Sequence, residues 1–175
     1  MDLQDACESL DKALTSLRDM NKILRQDLNA LLNAFSDESN QVLRRNFIRA
    51  SWAYVEANTH ALKLMTSIIV DAASCRLESD EIAFLKDRRT ETLCNIKRTI
   101  RVVTKVFGLS ERNLGGGSDW HRVKSSSKVR DRLVHPKTVE NLQVGNHDWE
   151  THKLGYAWLV SIFDKLLLDI IASHE

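Results

Sequence analysis

The sequence predicts an all-α protein, an antiparallel bundle of about five helices. Three observations predict it. Only 6 glycines and 1 proline occur in 175 residues, too few breakers for a loop-rich β fold. No stretch alternates apolar and polar residues as a half-buried strand does, whereas apolar residues recur at spacings of three and four along most of the chain. A hydrophobic content of 43% suffices for one globular domain with a real core. Residues 1–175 therefore read as one domain, with a heptad N-terminal helix over 1–35 and a helical core over 40–173.

The first helix carries the most regular pattern. Leu3, Cys7, Leu10, Leu14, Leu17, Asn21, Leu24, Leu28, Leu31 and Phe35 alternate spacings of four and three, a heptad seam with one polar member, Asn21. About 33 helical residues reach roughly 50 Å at 1.5 Å per residue. The seam suits packing inside the bundle or against a partner chain. Asn21 either fixes register there or faces solvent at an edge. Ser36-Asp37-Glu38-Ser39 breaks the pattern and supplies a cap and first-turn acids for a second helix, from about Asn40 to Ser74. Leu43, Phe47, Ala50, Tyr54, Ala57, Ala61, Leu64 and Ile68 mark its apolar face. Ile48, Trp52, Val55, Leu62 and Ile69 widen that face, as in a central, much-buried helix. One polar stripe remains: Arg45, Arg49, Glu56, His60 and Lys63. It reads either as a solvated edge or as a groove facing the region of Arg130 and His135.

Ser79-Asp80-Glu81 caps a third helix carrying Ile82, Leu85, Leu93, Ile96, Ile100, Val103 and Val106, and Gly108 stops it. Its polar positions, Lys86, Arg88, Arg89, Lys97, Arg98, Arg101 and Lys105, form the densest basic region of the chain. Such a face is either simply solvated or suited to tracking a nucleic-acid backbone. Gly115-Gly116-Gly117 ends a polar connector. It lacks the following Lys-Ser/Thr and the preceding strand of a phosphate loop. Ser118-Asp119 then caps a fourth helix, Trp120 to about Val134, which Pro136 stops by pushing its predecessor out of the α region. Residues 137–148 read as a loop. A last helix, from about Trp149 to Ser173, is apolar nearly all round and so is buried by the bundle or by a second subunit.

Chemistry concentrates where the fourth helix ends, in Arg130-Asp131-Arg132-Leu133-Val134-His135-Pro136. Arginine is a permanent forked cation suited to phosphate, and histidine trades protons near neutral pH. Trp120, Val123, Ser127, Arg130 and Val134 share one stripe, so Arg130 lies on an apolar face and needs a partner or a ligand. Asp131 and His135 are four apart, close enough for the carboxylate to orient the imidazole. Arg130 and His135 point about 140° apart on an ideal helix. To meet at one phosphate they need unwinding at the His-Pro end, or a second copy of the motif.

This segment resembles the signature of the HEPN superfamily (higher eukaryotes and prokaryotes nucleotide-binding domain): an arginine, a polar residue, three variable residues and a histidine, here Arg130, Asp131 and His135. The stretch Phe47 to Leu62, Trp120 about ten residues before the motif, and the hydrophobic closing helix also resemble bacterial members, over Gln41 to Ser173. The resemblance implies a homodimer with two motifs facing across a cleft. It implies a metal-independent endoribonuclease with a toxin or antiphage-defence role, a possible antitoxin or defence partner protein, and no cofactor. Arg130, His135 and Asp131 are then the catalytic set, and Arg49, Glu56, His60, Arg132 and Lys137 are RNA-binding candidates. The superfamily also contains non-catalytic modules that bind nucleotides or mediate interactions. One toxin branch has a tyrosine two positions after the histidine; this chain has Lys137.

The remaining residues narrow the field. A formal net charge of +1 gives no global drive toward nucleic acid, so any RNA contact must be local. Cys7, Cys75 and Cys94 are odd in number and scattered, as in a cytoplasmic protein with reduced thiols. His147 and His152 are poorly spaced for a metal, and no Cys/His/Asp cluster supports zinc. His121 and His174 read as ordinary polar positions, and Trp52, Trp120, Trp149 and Trp158 as core anchors. The acidic N-terminus has no signal-peptide pattern, no uncharged apolar run approaches membrane-spanning length, and even the C-terminal run is interrupted by Asp169, so neither secretion nor a membrane span is expected.

Overall fold

A computed structural model describes residues 2–73, 76–112, 114, 115 and 117–172. Ser74, Cys75, Gly116, Ser173 and His174, named above, lie outside the described residues. Within them the protein is all-helical: α1 (Leu3–Asn33), α2 (Gln41–Ala72), α3 (Ser79–Lys86), α4 (Thr92–Val106), α5 (Ser118–Val134) and α6 (Asn146–Ala172), with a short 3₁₀ turn at Glu140–Leu142. No described helix is long and apolar enough to cross a membrane.

The predicted third helix is two helices. Asp87 ends α3: its carboxylate accepts from the Arg89 amide (2.8 Å) and the Thr90 hydroxyl (2.6 Å), a local turn that competes with helix. Glu91 then caps α4 by accepting from the amides of Leu93 and Cys94. Apolar periodicity resumes in phase after the gap, which hides the break. The stop at Gly108 is as expected. Its φ of +62° lets Leu109 N–H reach the Thr104 carbonyl (2.8 Å) while Gly108 N–H turns to Lys105 (3.4 Å), a Schellman ending.

The heptad seam of α1 is followed only in part. Leu17, Leu28 and Phe35 turn inward, but Leu3 is 73% exposed, Leu14 and Cys7 are exposed, and Ala6 is buried in their place. An α-helix that does not supercoil drifts about 20° per heptad from a strict seven-residue repeat. Over three heptads the nominal seam rotates out of the packed face.

The chain divides into two compact units, and α1, α2 and α6 contribute to both. The first comprises Met1–Asn21, Glu56–Asn113 and Asp164–Glu175. Phe84, Leu85 and Val102 are buried at its core, with Val70, Leu77 and Val106 packed against them. Asn21 and Asn58 exchange side-chain hydrogen bonds (3.1 and 2.9 Å), so the polar seam residue pins α1 to α2. Lys63 is buried, its ammonium 4.0 Å from the Phe84 ring centroid and donating to the Asp87 carbonyl (2.6 Å) and Asn95 Oδ1 (3.3 Å). Burial pushes the Lys63 ammonium below its ordinary pKa against the pull of Asp87.

The second unit comprises Lys22–Val55 and Leu114–Phe163. Aromatic rings interlock α2, α6 and the turn after α1 here: Phe35 stacks on Trp149 (5.3 Å), Phe47 meets Trp149 edge-on (5.5 Å), and Tyr54 meets Tyr156 (6.4 Å). Gly155 brings the α6 backbone against α5. A Cβ there would lie 3.0 Å from the Arg122 carbonyl carbon and the Val123 nitrogen, so a side chain fits only if the α5 backbone gives way by a few tenths of an ångström.

Candidate functional site

The motif lies in the second unit, on the last turn of α5. Trp120, Val123, Ser126, Ser127, Val129 and Leu133 are buried, which fixes the helix's rotation and leaves Arg130 at the rim of the apolar face. Its side chain is 21% exposed. The guanidinium carbon lies 6.0 Å from the Trp52 ring centroid, and Nη1 donates to Asp131 Oδ1 at 2.7 Å. The partner demanded by an arginine on an apolar stripe is thus an indole face plus a carboxylate.

Asp131 engages Arg130, not His135. The expected i,i+4 pairing is made only by the backbone, His135 N–H to the Asp131 carbonyl at 2.9 Å. His135 is the C-cap, with φ −122° and ψ 61°, because Pro136 excludes the α conformation from the residue before it. Its imidazole is exposed and makes no hydrogen bond or ion pair among the described residues. The helix end therefore presents a half-buried arginine and, just past it, an exposed imidazole.

The segment that follows is tied down by the start of α2. Arg49 Nη2 donates to the Leu133 carbonyl (2.6 Å), satisfying a helix-end carbonyl, and Arg45 Nη1 donates to Leu142 (3.1 Å). Arg44 reaches the carbonyls of Glu38 and Val144 and the Asn146 side chain. Gln41 pairs with both backbone groups of Val144 (3.0 and 2.8 Å). Arg132 donates to the carbonyls of Asn141 (2.8 Å) and Gln143 (2.6 Å) and to Asp148 (2.5 Å). Among the RNA-binding candidates, then, the guanidiniums of Arg49 and Arg132 hold the loop beside the motif. Lys137 is exposed, with its backbone N–H on Asn141 Oδ1 (3.0 Å). Glu56 and His60 belong to the first unit, Glu56 half-buried and His60 exposed.

Sequence reading missed a buried polar chain in the same unit. His152 Nδ1 lies 2.7 Å from Ser126 Oγ and Nε2 lies 2.9 Å from Ser51 Oγ. Trp52 Nε1–H donates to Ser126 Oγ (3.0 Å), and Ser51 Oγ–H to the Phe47 carbonyl (2.7 Å). These ends fix the direction of every bond. Trp52 donates to Ser126, Ser126 to His152 Nδ1, His152 Nε2–H to Ser51, and Ser51 to the backbone. The imidazole is neutral and protonated on Nε2; burial pushes its pKa down to about 3. The adjoining cavity, lined by Trp52, Ser126, His152 and Gly155 among others, holds about 10 Å³, room for one water and no substrate. A Ser–His pair sealed this way is architecture and not a nucleophile. The signal available in the sequence was a histidine framed by Trp149 and Tyr156 at helical spacing, in line with the apolar positions Leu159, Phe163 and Leu166.

Compared with known proteins, the chain matches no family model, no curated protein and no solved structure.

Proposed function

We propose that this protein is a metal-independent endoribonuclease of HEPN type, working as a homodimer in toxin or antiphage-defence action, with an antitoxin or defence protein as a possible partner. One observation carries the reading. A half-buried Arg130 is held in place by Asp131 and Trp52 one turn before an exposed His135 at a proline-terminated helix end. In the proposed reaction His135 takes the proton from a ribose 2′-OH, the 2′-oxygen bonds to phosphorus, and the P–O5′ bond breaks. The histidine of the second copy gives its proton to the leaving 5′-oxygen. Arg130 binds the phosphate and offsets its growing charge, and Asp131 positions Arg130. The products are a 2′,3′-cyclic phosphate and a 5′-hydroxyl, and the need for a 2′-OH limits cleavage to RNA. Arg49 and Arg132 act as positioning residues through the loop carbonyls, and Lys137 is the nearest candidate for a further phosphate contact.

RNA cleavage in EDTA tests this. Wild type is expected to cut RNA and to spare its 2′-deoxy analogue, and His135→Ala is expected to lose about 10²-fold or more, as is Arg130→Ala. Unchanged cleavage in both variants overturns the reading. Asp131 already neutralises part of Arg130, which favours one other reading, a non-catalytic module that binds a nucleotide or RNA end. Binding lost on Arg130→Ala, with no turnover by wild type, selects it.

A further inference from the structure

The first unit carries a charge imbalance that the motif does not use. Residues 86–105 hold seven basic and two acidic side chains, in a chain whose formal net charge is +1. The two acids are exposed and engaged locally: Asp87 accepts from the Arg89 amide and the Thr90 hydroxyl, and Glu91 from the amides of Leu93 and Cys94. Along α4, burial of Ile96, Thr99, Ile100 and Val103 leaves Arg98, Arg101 and Lys105 at helical spacing on the outward side, with Lys97 beside them. Arg88 and Arg89 stand exposed in the connector before α4.

Neutralisation within the unit is incomplete. Lys86 pairs with Asp71 (3.1 Å), Arg98 with Asp80 (3.2 Å) and Lys105 with Glu81 (2.6 Å). The side chains of Arg88, Arg89 and Arg101 make no ion pair or hydrogen bond among the described residues. Arg101 acts on Glu81, and Arg89 on Asp87, only through space. No large hydrophobic side chain between residues 86 and 105 is exposed, so the surface lacks the apolar anchors that insert into a bilayer or fill a protein partner's pockets. It also lacks an exposed aromatic ring for base stacking. A row of cations without anchors or rings fits a polyphosphate backbone.

We propose that the α3–α4 connector and the outward face of α4 bind the phosphate backbone of single-stranded RNA without reading its sequence. The choice of RNA among polyanions rests on the function proposed above; the surface itself does not depend on that reading.

The test uses the full chain carrying His135→Ala, so that cleavage does not remove the ligand. Binding of a labelled 20-nucleotide RNA is followed by fluorescence anisotropy from 50 to 300 mM KCl in EDTA. Adding Arg88→Ala, Arg89→Ala and Arg101→Ala is expected to weaken binding and to flatten the log–log salt slope by about 2, at about 0.7 per lost phosphate contact on a single strand. The corresponding triple lysine variant is expected to keep most of the slope, and a scrambled RNA to bind like the first. Circular dichroism melting checks that all variants fold. No RNA binding by the starting chain, or an unchanged slope in the triple alanine variant, overturns the proposal. So does a triple alanine variant that loses binding to phosphatidylserine vesicles while keeping RNA. If wild type cuts no RNA but the slope flattens, the catalytic reading fails and this one stands. If wild type cuts RNA and the slope is unchanged, the reverse holds.

Discussion

Two histidines of this chain illustrate how position sets chemistry. His135, pushed out of its helix by Pro136, is exposed and makes no side-chain hydrogen bond among the described residues. His152 is 1% exposed and locked as a neutral donor–acceptor between two serines. That burial has a pH consequence. The unfolded chain binds a proton at this histidine below about 6.5, and the folded protein does so only near 3. The unfolded state therefore holds the extra proton in between, and stability falls with acidification by at most about 1.4 kcal/mol per pH unit. The contribution is complete above 6.5 and erodes below it. Urea unfolding at pH 7.0, 6.0 and 5.0 is expected to show this loss in wild type and a flatter profile in His152→Gln, whose amide can still donate and accept. Glu81 adds a second acid-side loss. Burial would raise its carboxyl, but the hydrogen bonds from Lys105 and the Glu78 amide, with the charges of Lys105 and Arg101, hold it below its ordinary value. Its stabilisation is present at neutral pH and disappears as pH falls below the ordinary carboxylate range.

At the scale of elements, the helices stand on a few exact fits. A Cβ at Gly155 would press on the α5 backbone at 3.0 Å, and Gly155→Ala is expected to destabilise by about 1–3 kcal/mol in chemical denaturation through forced backbone displacement. An alanine at a solvated helix site would instead stabilise, so the sign alone is decisive. The Asn21–Asn58 exchange predicts non-additivity. Asn21→Leu leaves the Asn58 amide short of its partner and costs about 1–3 kcal/mol, whereas adding Asn58→Leu recovers part of the loss. Equal, additive costs would show that the pair contributes little to the register of α1 on α2. The division of the expected third helix at Asp87 belongs to this scale as well. Asp87 and Glu91 announce a turn and a cap in the sequence, but an apolar pattern that stays in phase on both sides masks them.

At the scale of the whole molecule, the question is whether one chain suffices for the proposed reaction. Arg130 is engaged by Asp131 and Trp52 and His135 faces solvent, whereas the proposed cleavage needs two proton carriers and so calls for another copy at the site. Mixing wild type with His135→Ala after a denature–refold cycle tests this. Activity is expected to fall as the square of the wild-type fraction if both copies supply a histidine to each site, and in direct proportion if each chain acts alone. The long helices α1, α2 and α6 each serve both compact units, so their outward apolar residues cannot be assigned to one core from periodicity alone. Leu3 and Leu14 looked like seam residues and are exposed; Ala6, absent from the seam, is buried.

Local rules were enough for much of this. The scarcity of Gly and Pro fixed the helical class, Pro136 fixed where α5 ends and Gly108 fixed where α4 ends, because each depends on a few neighbouring residues; the candidate site was singled out less by the spacing of Arg130 and His135 than by an arginine on an apolar stripe just before a His-Pro stop. That Trp52 lies under Arg130, that Arg49 holds the loop and that His152 is sealed depended on residues about eighty to a hundred positions away, as Ser51 is from His152. The sequence lists donors and acceptors, but only packing decides which of them are dry enough to need one another.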